Sequence, residues 1–224
     1  MTRAGSAAPP TDGVASARIA EADARSRILA SALQEFASRG FDGSTTAGIA
    51  RGAGVTQPLV HYHFATKDEL WKAAVSHELL ALVATFEGIV LQLEDLDPVD
   101  RMKVIVRRFV MFMAEHSEFG RIMSYEGVQG GDRFDWLIER GGSGRLRSLD
   151  ELLASGVEQG WAKPLPTPHV ASCLTAAASY FFIVRASVRK LYDIDVDDPE
   201  IVRAHADTVV ELFFHGLVRT EVVA

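Results

Sequence analysis

A run of polar and aromatic side chains between Thr56 and His63 is the part of the sequence best equipped to bind another molecule. The run reads Thr-Gln-Pro-Leu-Val-His-Tyr-His. Hydroxyl, amide, imidazole and phenol groups donate and accept hydrogen bonds, which suits the base edges and phosphates of a nucleic acid. Gln57 is the best candidate base reader, because an amide matches the adenine edge in the major groove.

The residues around this run predict the short helices that would position it. Thr45 can cap a helix that ends at about Ala53, and Gly54 suits the left-handed turn that follows. Thr56 can cap the next helix, with Pro58 in its first turn, where a missing N–H costs little. Two short helices joined by a tight glycine turn are typical of a helix-turn-helix, which places its second helix in the DNA major groove.

A third helix start follows the run directly. Thr66 and Glu69 have the spacing of a capping box, in which each side chain satisfies a free N–H group of the first turn. Lys67 stands beside the remaining N–H groups, and such a pairing favours a bound phosphate. Loss of Lys67 would then weaken binding to all DNA alike and flatten its salt dependence.

The residues expected to contact DNA lie in or beside the two short helices. Gln57 would read bases, whereas phosphates would be held mainly by Thr45, Tyr62, His63 and Lys67. The complete predicted set is Thr45, Thr46, Thr56, Gln57, Pro58, Leu59, His61, Tyr62, His63 and Lys67.

Together these motifs resemble the TetR (tetracycline-repressor) family. The likeness lies in the threonine-led helix, the turn IA-x-x-AGV and the close HYHF-x-TKDEL, and it covers roughly residues 25 to 75. Two residues depart from the pattern: His61 stands where tyrosine is frequent, and Gly48 weakens its helix by about 1 kcal/mol relative to alanine. The resemblance implies a sequence-specific transcriptional regulator, namely a repressor released from a palindromic double-stranded operator by a small-molecule effector.

The charge distribution supports this interpretation. Residues 25 to 67 contain five Lys or Arg and two acids, a net charge of +3, although the whole chain carries −7. The positive charge is therefore concentrated where the predicted reading helix would meet phosphates, and the rest of the chain is acidic.

The expected fold class is all-α, with an N-terminal three-helix helix-turn-helix domain followed by a helical ligand-binding and dimerisation domain. Residues 1–24 predict a disordered arm, 25–70 the DNA-binding domain and 71–224 the second domain. The first helix is expected over 25–39, and later helices over 99–115, 121–128, 132–160, 168–192 and 199–220. The glycines between positions 141 and 144 predict either a kink or a loop within 132–160.

A bundle interior lined by methionine and aromatic side chains can open into a small-molecule pocket. The second domain offers such residues at helical spacing, although ordinary core packing would use the same residues. A small hydrophobic or aromatic effector would fit them. The candidates are Met102, Phe109, Phe112, Met113, His116, Met123, Tyr125, Trp136 and Trp161.

The family resemblance also implies a homodimer in which the last two helices of each subunit form a four-helix bundle. The residues here with suitable helical spacing are Val170, Leu174, Phe181, Val188, Ile201, His205, Val209, Leu212, Phe213 and Gly216. Closure of the monomer's own core is the alternative role for this set. The acidic turn before Pro199 is expected to cap the final helix, because it lacks the glycine and bidentate glutamate of a calcium loop.

The sequence gives little support for a membrane span, for secretion, or for a metal or catalytic site. The uncharged stretch between Lys163 and Arg185 begins with three prolines and is too short to span a membrane. One cysteine and no secretory signal suit the cytoplasm. No metal, cofactor or catalytic set is expected: His169 and Cys173 lie four apart without a third ligand, so a buried structural cysteine is the preferred interpretation.

Two other classes of function remain alternatives. A ligand-independent architectural or partner-binding protein would bind DNA regardless of any small molecule. A helical enzyme would use His116 or Cys173 and would show turnover that is lost on their mutation.

Overall fold

The computed structural model describes residues 11–93 and 95–218, with side chains except those of residues 11–20, 86–92, 141–150 and 217. The described residues form helices and no strand, so the predicted all-α fold class is confirmed. They form two compact units, and the boundary lies between Val75 and Ser76. The sequence had suggested a boundary after residue 70.

The first unit contains α1 (Thr11–Gly43), α2 (Thr46–Ala53), α3 (Gln57–His63) and the start of α4 (Lys67–Gln92). The expectation of an irregular arm through residue 24 is wrong for residues 11–24, which are helical. Residues 14–24 contain neither glycine nor proline and are rich in alanine, the strongest helix former. The first ten residues of the expected arm lie outside the described residues.

A single core holds the short helices of the first unit in place. Phe36 of α1, Ile49 of α2, Val60 of α3 and Trp71 of α4 are all buried. Each helix buries an apolar stripe against its neighbours, so the opposite faces of α2 and α3 remain outside the core.

The second unit contains the rest of α4 and seven further helices. These are α5 (Pro98–Glu115), α6 (Ser117–Gln129), α7 (Asp132–Leu137), α8 (Ser143–Glu158), α9 (Thr167–Ile183), α10 (Arg185–Tyr192) and α11 (Pro199–Leu217). A π-helical turn, Ile138–Gly142, joins α7 to α8, so the glycine-rich segment is neither a simple kink nor a loop. Asp198 caps α11 by accepting from the N–H of Glu200 at 2.8 Å, as the acidic turn predicts.

The expected single helix over residues 168–192 is wrong, because the chain bends by 69° between α9 and α10. Arg185 stabilises the corner: its guanidinium donates to Ser117 Oγ and pairs with Asp197 at 3.4 Å. Neither partner is near Arg185 in sequence, so helical periodicity could not reveal the bend. Among the described residues no single helix is long and apolar enough to span a membrane, and α9 and α10 reach that length only together.

Gly156 in α8 leaves room for the indole ring of Trp161. A Cβ atom at Gly156 would lie 2.4 Å from Cζ2 of Trp161 and 2.7 Å from Cε2. We expect Gly156→Ala to lower the free energy of unfolding by about 1 to 2 kcal/mol, because the steric conflict exceeds the gain in helix propensity. Urea unfolding measures this change.

Gly127→Ala in α6 is the matched control, because its Cβ would meet only Phe134 Cε2, at an ordinary 3.5 Å. This change is expected to be neutral or to stabilise by up to about 1 kcal/mol. Equal effects of the two substitutions would contradict a steric role for Gly156.

Candidate nucleic-acid interface

The helix-turn-helix geometry is fixed by caps within the chain. Thr45 Oγ1 accepts a hydrogen bond from the N–H of Gly48 at 3.0 Å and so caps α2. Gly54 ends that helix in the left-handed conformation, at φ 65° and ψ 37°, and Val55 donates back to the Ala50 carbonyl at 3.0 Å. Both features agree with the sequence. Thr56 has the expected extended backbone, but its side chain makes no cap hydrogen bond, which corrects its predicted role as a side-chain cap.

Helix α3, predicted to read DNA, has one buried face and one exposed face. Val60 and the following Phe64 are buried. Thr56, Gln57, Pro58, His61 and Tyr62 are exposed, Tyr62 to 72%, and Leu59 is half-buried. The exposed residues carry amide, imidazole, hydroxyl and phenol groups, which can bond base edges and phosphates.

Three side chains on the exposed side of α2 and α3 form a hydrogen-bonded group, which we call the Gln57 cluster: Thr46, Gln57 and His61. The Nε2 atom of Gln57 donates to Thr46 Oγ1 at 3.1 Å. The same atom lies 3.5 Å from Nε2 of His61, one helical turn further along α3. The sequence placed all three residues at the DNA interface but gave no indication that they bind one another.

The His63 side chain is less accessible to DNA than the sequence suggests. Its Nε2 atom is buried and has no hydrogen-bond partner among the described residues, and its ring packs edge-on against Tyr62 at 5.2 Å. The expectation that His63 mainly holds a phosphate is therefore wrong for Nε2. A contact through its other ring nitrogen stays a prediction.

Lys67 has a role inside the first unit. Its ammonium donates to the carbonyl oxygens of Phe41 at 2.8 Å and Ser44 at 3.1 Å, and it lies 4.3 Å from the centre of the Phe41 ring. Two of its three N–H groups are thus used to hold the turn between α1 and α2. A phosphate contact by Lys67 stays a prediction that depends on the third N–H.

Removal of the Lys67 ammonium is expected to destabilise the first unit. Lys67→Met keeps the apolar stem but loses two hydrogen bonds from a charged donor, so we expect the free energy of unfolding to fall by about 2 kcal/mol. Lys72→Met is the control, because Lys72 pairs with Asp68 on the exposed surface of the same helix and its loss should cost under about 1 kcal/mol. A Lys67→Met protein of unchanged stability and reduced salt dependence on DNA would place Lys67 on phosphate instead.

The capping box differs in one detail from its prediction. Thr66 Oγ1 accepts from the N–H of Glu69 at 3.0 Å, as expected. Glu69 in turn accepts from the N–H of Ala65 at 3.1 Å, whereas the Glu of a capping box ordinarily accepts from the N–H of the N-cap residue, here Thr66. The box still fixes the start of α4 directly after the reading helix.

Comparison with known proteins identifies both units. Residues 28–74 match the family model "Bacterial regulatory proteins, tetR family", and residues 98–213, just over half of the chain, match "Tetracyclin repressor-like, C-terminal domain". The chain belongs to the TetR family. This TetR-family protein is accordingly a DNA-binding transcriptional regulator and not an enzyme.

Several characterised regulators are similar to this TetR-family protein. The HTH-type transcriptional regulator RutR of Escherichia coli O157:H7 is 24% identical over 194 residues, which cover 85% of this chain and 88% of RutR. The structure of the ketosteroid transcriptional regulator KstR2 of Mycobacterium tuberculosis shares the fold, with a TM-score of 0.70 and 21% identity. The match covers 87% of this chain and 95% of KstR2. The structure of FadR from Bacillus subtilis in complex with stearoyl-CoA has a TM-score of 0.61 and 18% identity, and the match covers 85% of this chain and 97% of FadR.

The predicted effector residues of this TetR-family protein divide by burial. Met102, Phe112 and Met113 are buried, whereas Phe109, His116, Met123, Trp136 and Trp161 are partly buried. Tyr125 is 42% exposed, so the expectation that it lines an interior pocket with His116 is wrong.

A polar pair in the second unit was missed by the sequence reasoning. Glu78 of α4, only 7% exposed, pairs with Nδ1 of His116 between α5 and α6. The His116 ring stacks on Phe112, with centres 4.1 Å apart. Glu78 lies between the buried residues Val75 and Leu79, and a carboxylate within an apolar helix face is the signal that could have revealed it.

The residues predicted to form the dimer interface also differ in their exposure to solvent. Val170 and Val209 are buried by their own chain, so the expectation that they face a partner is wrong for these two, whereas Val188 is largely buried but lines the groove described below. Leu212, 72% exposed, and Gly216 face outward, whereas the remaining residues, Leu174, Phe181, Ile201, His205 and Phe213, are partly buried. Cys173 is exposed, which corrects the expectation of a buried cysteine.

An apolar groove of about 470 Å³ lies along α9, α10 and α11. Its lining includes the stacked rings of Phe181 and His205, 4.4 Å apart, together with Tyr180, Leu191 and Tyr192, which are largely exposed. The sequence reasoning missed the last three residues. For Leu191 and Tyr192 the reason is the unexpected bend after Ile183, which changes which faces of α10 point outward.

Burial lowers the pKa of His205 below its ordinary 6.5, against a smaller opposing effect of its hydrogen bond to the Ala177 carbonyl. Folding therefore favours neutral His205, so its contribution to stability is fully present above pH 6.5 and is lost as the pH falls. We expect the wild-type protein to lose more stability between pH 7.5 and 5.5 than His205→Gln. Urea unfolding at the two pH values checks this, and equal losses would contradict it.

Proposed function

We propose that the protein is a dimeric repressor that places two copies of α3 in successive major grooves of a palindromic operator. The observation that carries the proposal is the exposed face of α3, where Gln57, His61 and Tyr62 stand clear of the core beside Thr46. The positive charge of residues 25–67 supports phosphate binding by the same unit. Two-fold symmetry in the protein would be matched by two-fold symmetry in the site. Such a regulator would act in the cytoplasm, where bacterial DNA lies.

Dimerisation through α9 and α11 is supported by the exposed apolar residues on that face. Leu212 of α11 and Tyr180 of α9 are large side chains, 72% and 63% exposed, and Tyr180 lines the apolar groove. Exposed apolar surface of this kind is typical of a face that a partner covers. A second copy of this chain is the occupant that a palindromic operator requires.

We further propose that the second unit takes a small hydrophobic or aromatic effector. Its interior contains Met102, Phe112 and Met113, and the polar Glu78–His116 pair could orient a ligand among them. The names of related proteins are compatible with an effector that has a large apolar part: KstR2 is called a ketosteroid regulator, and FadR was solved with stearoyl-CoA.

The Glu78–His116 pair offers a way for an effector to act on DNA binding. Glu78 lies on α4, the helix whose start is fixed by the capping box of Thr66 and Glu69. An effector that displaces His116 would release α4 and favour a conformation with a different spacing of the two reading helices. Operator DNA should then weaken effector binding by the same factor.

Selection from a random double-stranded DNA pool at two salt concentrations tests the DNA proposal. We expect an enriched inverted repeat, bound by two protein chains and weakened by added salt. Sedimentation of the protein with and without the selected DNA measures the number of chains. Salt-sensitive binding without an enriched motif would favour the architectural alternative, and an enriched single half-site bound by one chain would contradict the dimer.

The selected operator then serves as the probe for effectors. Fatty acyl-CoA and steroid compounds are the first classes to add, because a steroid is largely apolar and an acyl-CoA carries a long apolar chain that an apolar interior can enclose. Release of the operator by one compound would support the repressor proposal. Glu78→Gln is expected to reduce the coupling between that compound and DNA more than it reduces operator affinity.

A further inference from the structure

We infer that Thr46 and His61 hold the amide group of Gln57 so that mainly its carbonyl oxygen faces DNA, which makes both residues determinants of base preference. The inference rests on the proposed reading of DNA by α3. It goes beyond that proposal because it assigns Thr46 and His61 a positioning role and assigns Gln57 a particular hydrogen-bonding group.

The geometry of the Gln57 cluster carries the inference. Thr46 is the first residue of α2, and His61 lies one turn after Gln57 on α3, so the two neighbours approach from different helices. Both contact the same atom: Gln57 Nε2 is 3.1 Å from Thr46 Oγ1 and 3.5 Å from His61 Nε2. A glutamine amide has two N–H groups, and Thr46 and an unprotonated His61 nitrogen together can accept both.

Both hydrogen bonds that Gln57 makes with the described residues use its amide nitrogen, so within that part of the chain its carbonyl oxygen is the free group. A carbonyl accepts from the amino groups of adenine N6 and cytosine N4, which are the donors in the major groove. Guanine and thymine present acceptors there, so a carbonyl facing them would be repelled. We therefore expect the held glutamine to accept adenine or cytosine at the position it faces.

A released glutamine would behave differently. It can bond adenine with both groups at once, donating to N7 and accepting from N6, and cytosine offers no matching acceptor beside its amino group. Release of Gln57 from Thr46 should therefore change a preference for adenine or cytosine into a preference for adenine. The change should be about 5-fold or more in the ratio of the two bases, the lower limit for a bidentate contact.

Selection from the random DNA pool with the wild-type protein and four variants tests the inference. The position read by Gln57 is the one at which Gln57→Ala loses base preference. Thr46→Val removes the hydroxyl while keeping the shape of the side chain, and it should raise the adenine-to-cytosine ratio at that position. Thr46→Ser keeps the hydroxyl and should retain the wild-type ratio.

Tyr62→Phe is the matched control, because it also removes one hydroxyl from an exposed residue of the interface but lies outside the Gln57 cluster. It should lower the affinity for all sequences alike and leave the ratio unchanged. An unchanged adenine-to-cytosine ratio in Thr46→Val would overturn the inference but not the proposed function. Selection of guanine or thymine at this position by the wild-type protein would have the same meaning. Selection of no inverted repeat by the wild-type protein would overturn the proposed function and the inference with it.

The side-chain amide of Gln57 gives a second readout that does not depend on DNA. In the free wild-type protein its two N–H resonances should show the downfield shift and slowed solvent exchange of hydrogen-bonded groups, and Thr46→Val should abolish this. Resonances of a freely solvated amide in the wild-type protein would overturn the inference even if the operator is found.

Discussion

Replacement of Arg133 with methionine is expected to destabilise the second unit by about 3 to 5 kcal/mol. Both carboxylate oxygens of Glu126 accept from Arg133 Nε at 3.1 Å, and Glu126 is only 1% exposed. Removal of the guanidinium would leave a charge in the core without this partner, and the desolvation of that charge would no longer be offset. Urea unfolding of the variant measures the loss.

Arg107→Met is the control for this prediction. Arg107 of α5 pairs with Asp207 of α11, but the two side chains are 42% and 60% exposed, so solvent screens the pair and its loss should cost about 1 kcal/mol or less. Glu126→Gln combined with Arg133→Met should recover much of the stability, because the buried charge is then absent. Equal effects of Arg133→Met and Arg107→Met would show that burial of Glu126 does not set the energy of its pair.

The second large effect is expected for Gln57→Ala on DNA binding. A single hydrogen bond to a base contributes about 1 kcal/mol, and a dimer would use it twice. The affinity for the selected operator should therefore fall by about 30-fold or more, corresponding to about 2 kcal/mol, whereas binding to non-specific DNA should change little. Fluorescence anisotropy with both DNAs, at one fixed salt concentration, measures the difference.

The stability of Gln57→Ala should remain within about 0.5 kcal/mol of the wild type, because Gln57 is exposed. This distinguishes it from Lys67→Met, for which weaker DNA binding should accompany a loss of stability. Equal falls in operator and non-specific affinity would assign Gln57 to phosphate binding and would contradict its role as a reader of bases.

The sequence predicted the helix-turn-helix in detail because its determinants are local. Thr45 bonds an N–H three residues away, and Gly54 needs only its own left-handed backbone conformation. Pro58 likewise acts through its own φ angle at the start of α3. Local interactions of this kind can be recognised in a single sequence, and the family comparison agrees with the result.

The sequence was less successful where helical spacing was the only guide. Val170 and Val209 have the spacing of an interface, but their own chain buries them, while Leu212 at equivalent spacing stays exposed. A pattern of apolar residues identifies a face that must be covered. It does not state whether the cover comes from the same chain or from another.

The sequence by itself thus determined the all-α class, the reading helix and most of the caps, since each depends on residues within about one helical turn. Only the tertiary structure decided which polar groups pair over long separations: Lys67 with Phe41, Glu78 with His116 and Arg185 with Ser117. These partners are 26, 38 and 68 residues apart. A hydrogen bond requires its two atoms to lie about 3 Å apart, and that proximity is created by the packing of distant helices.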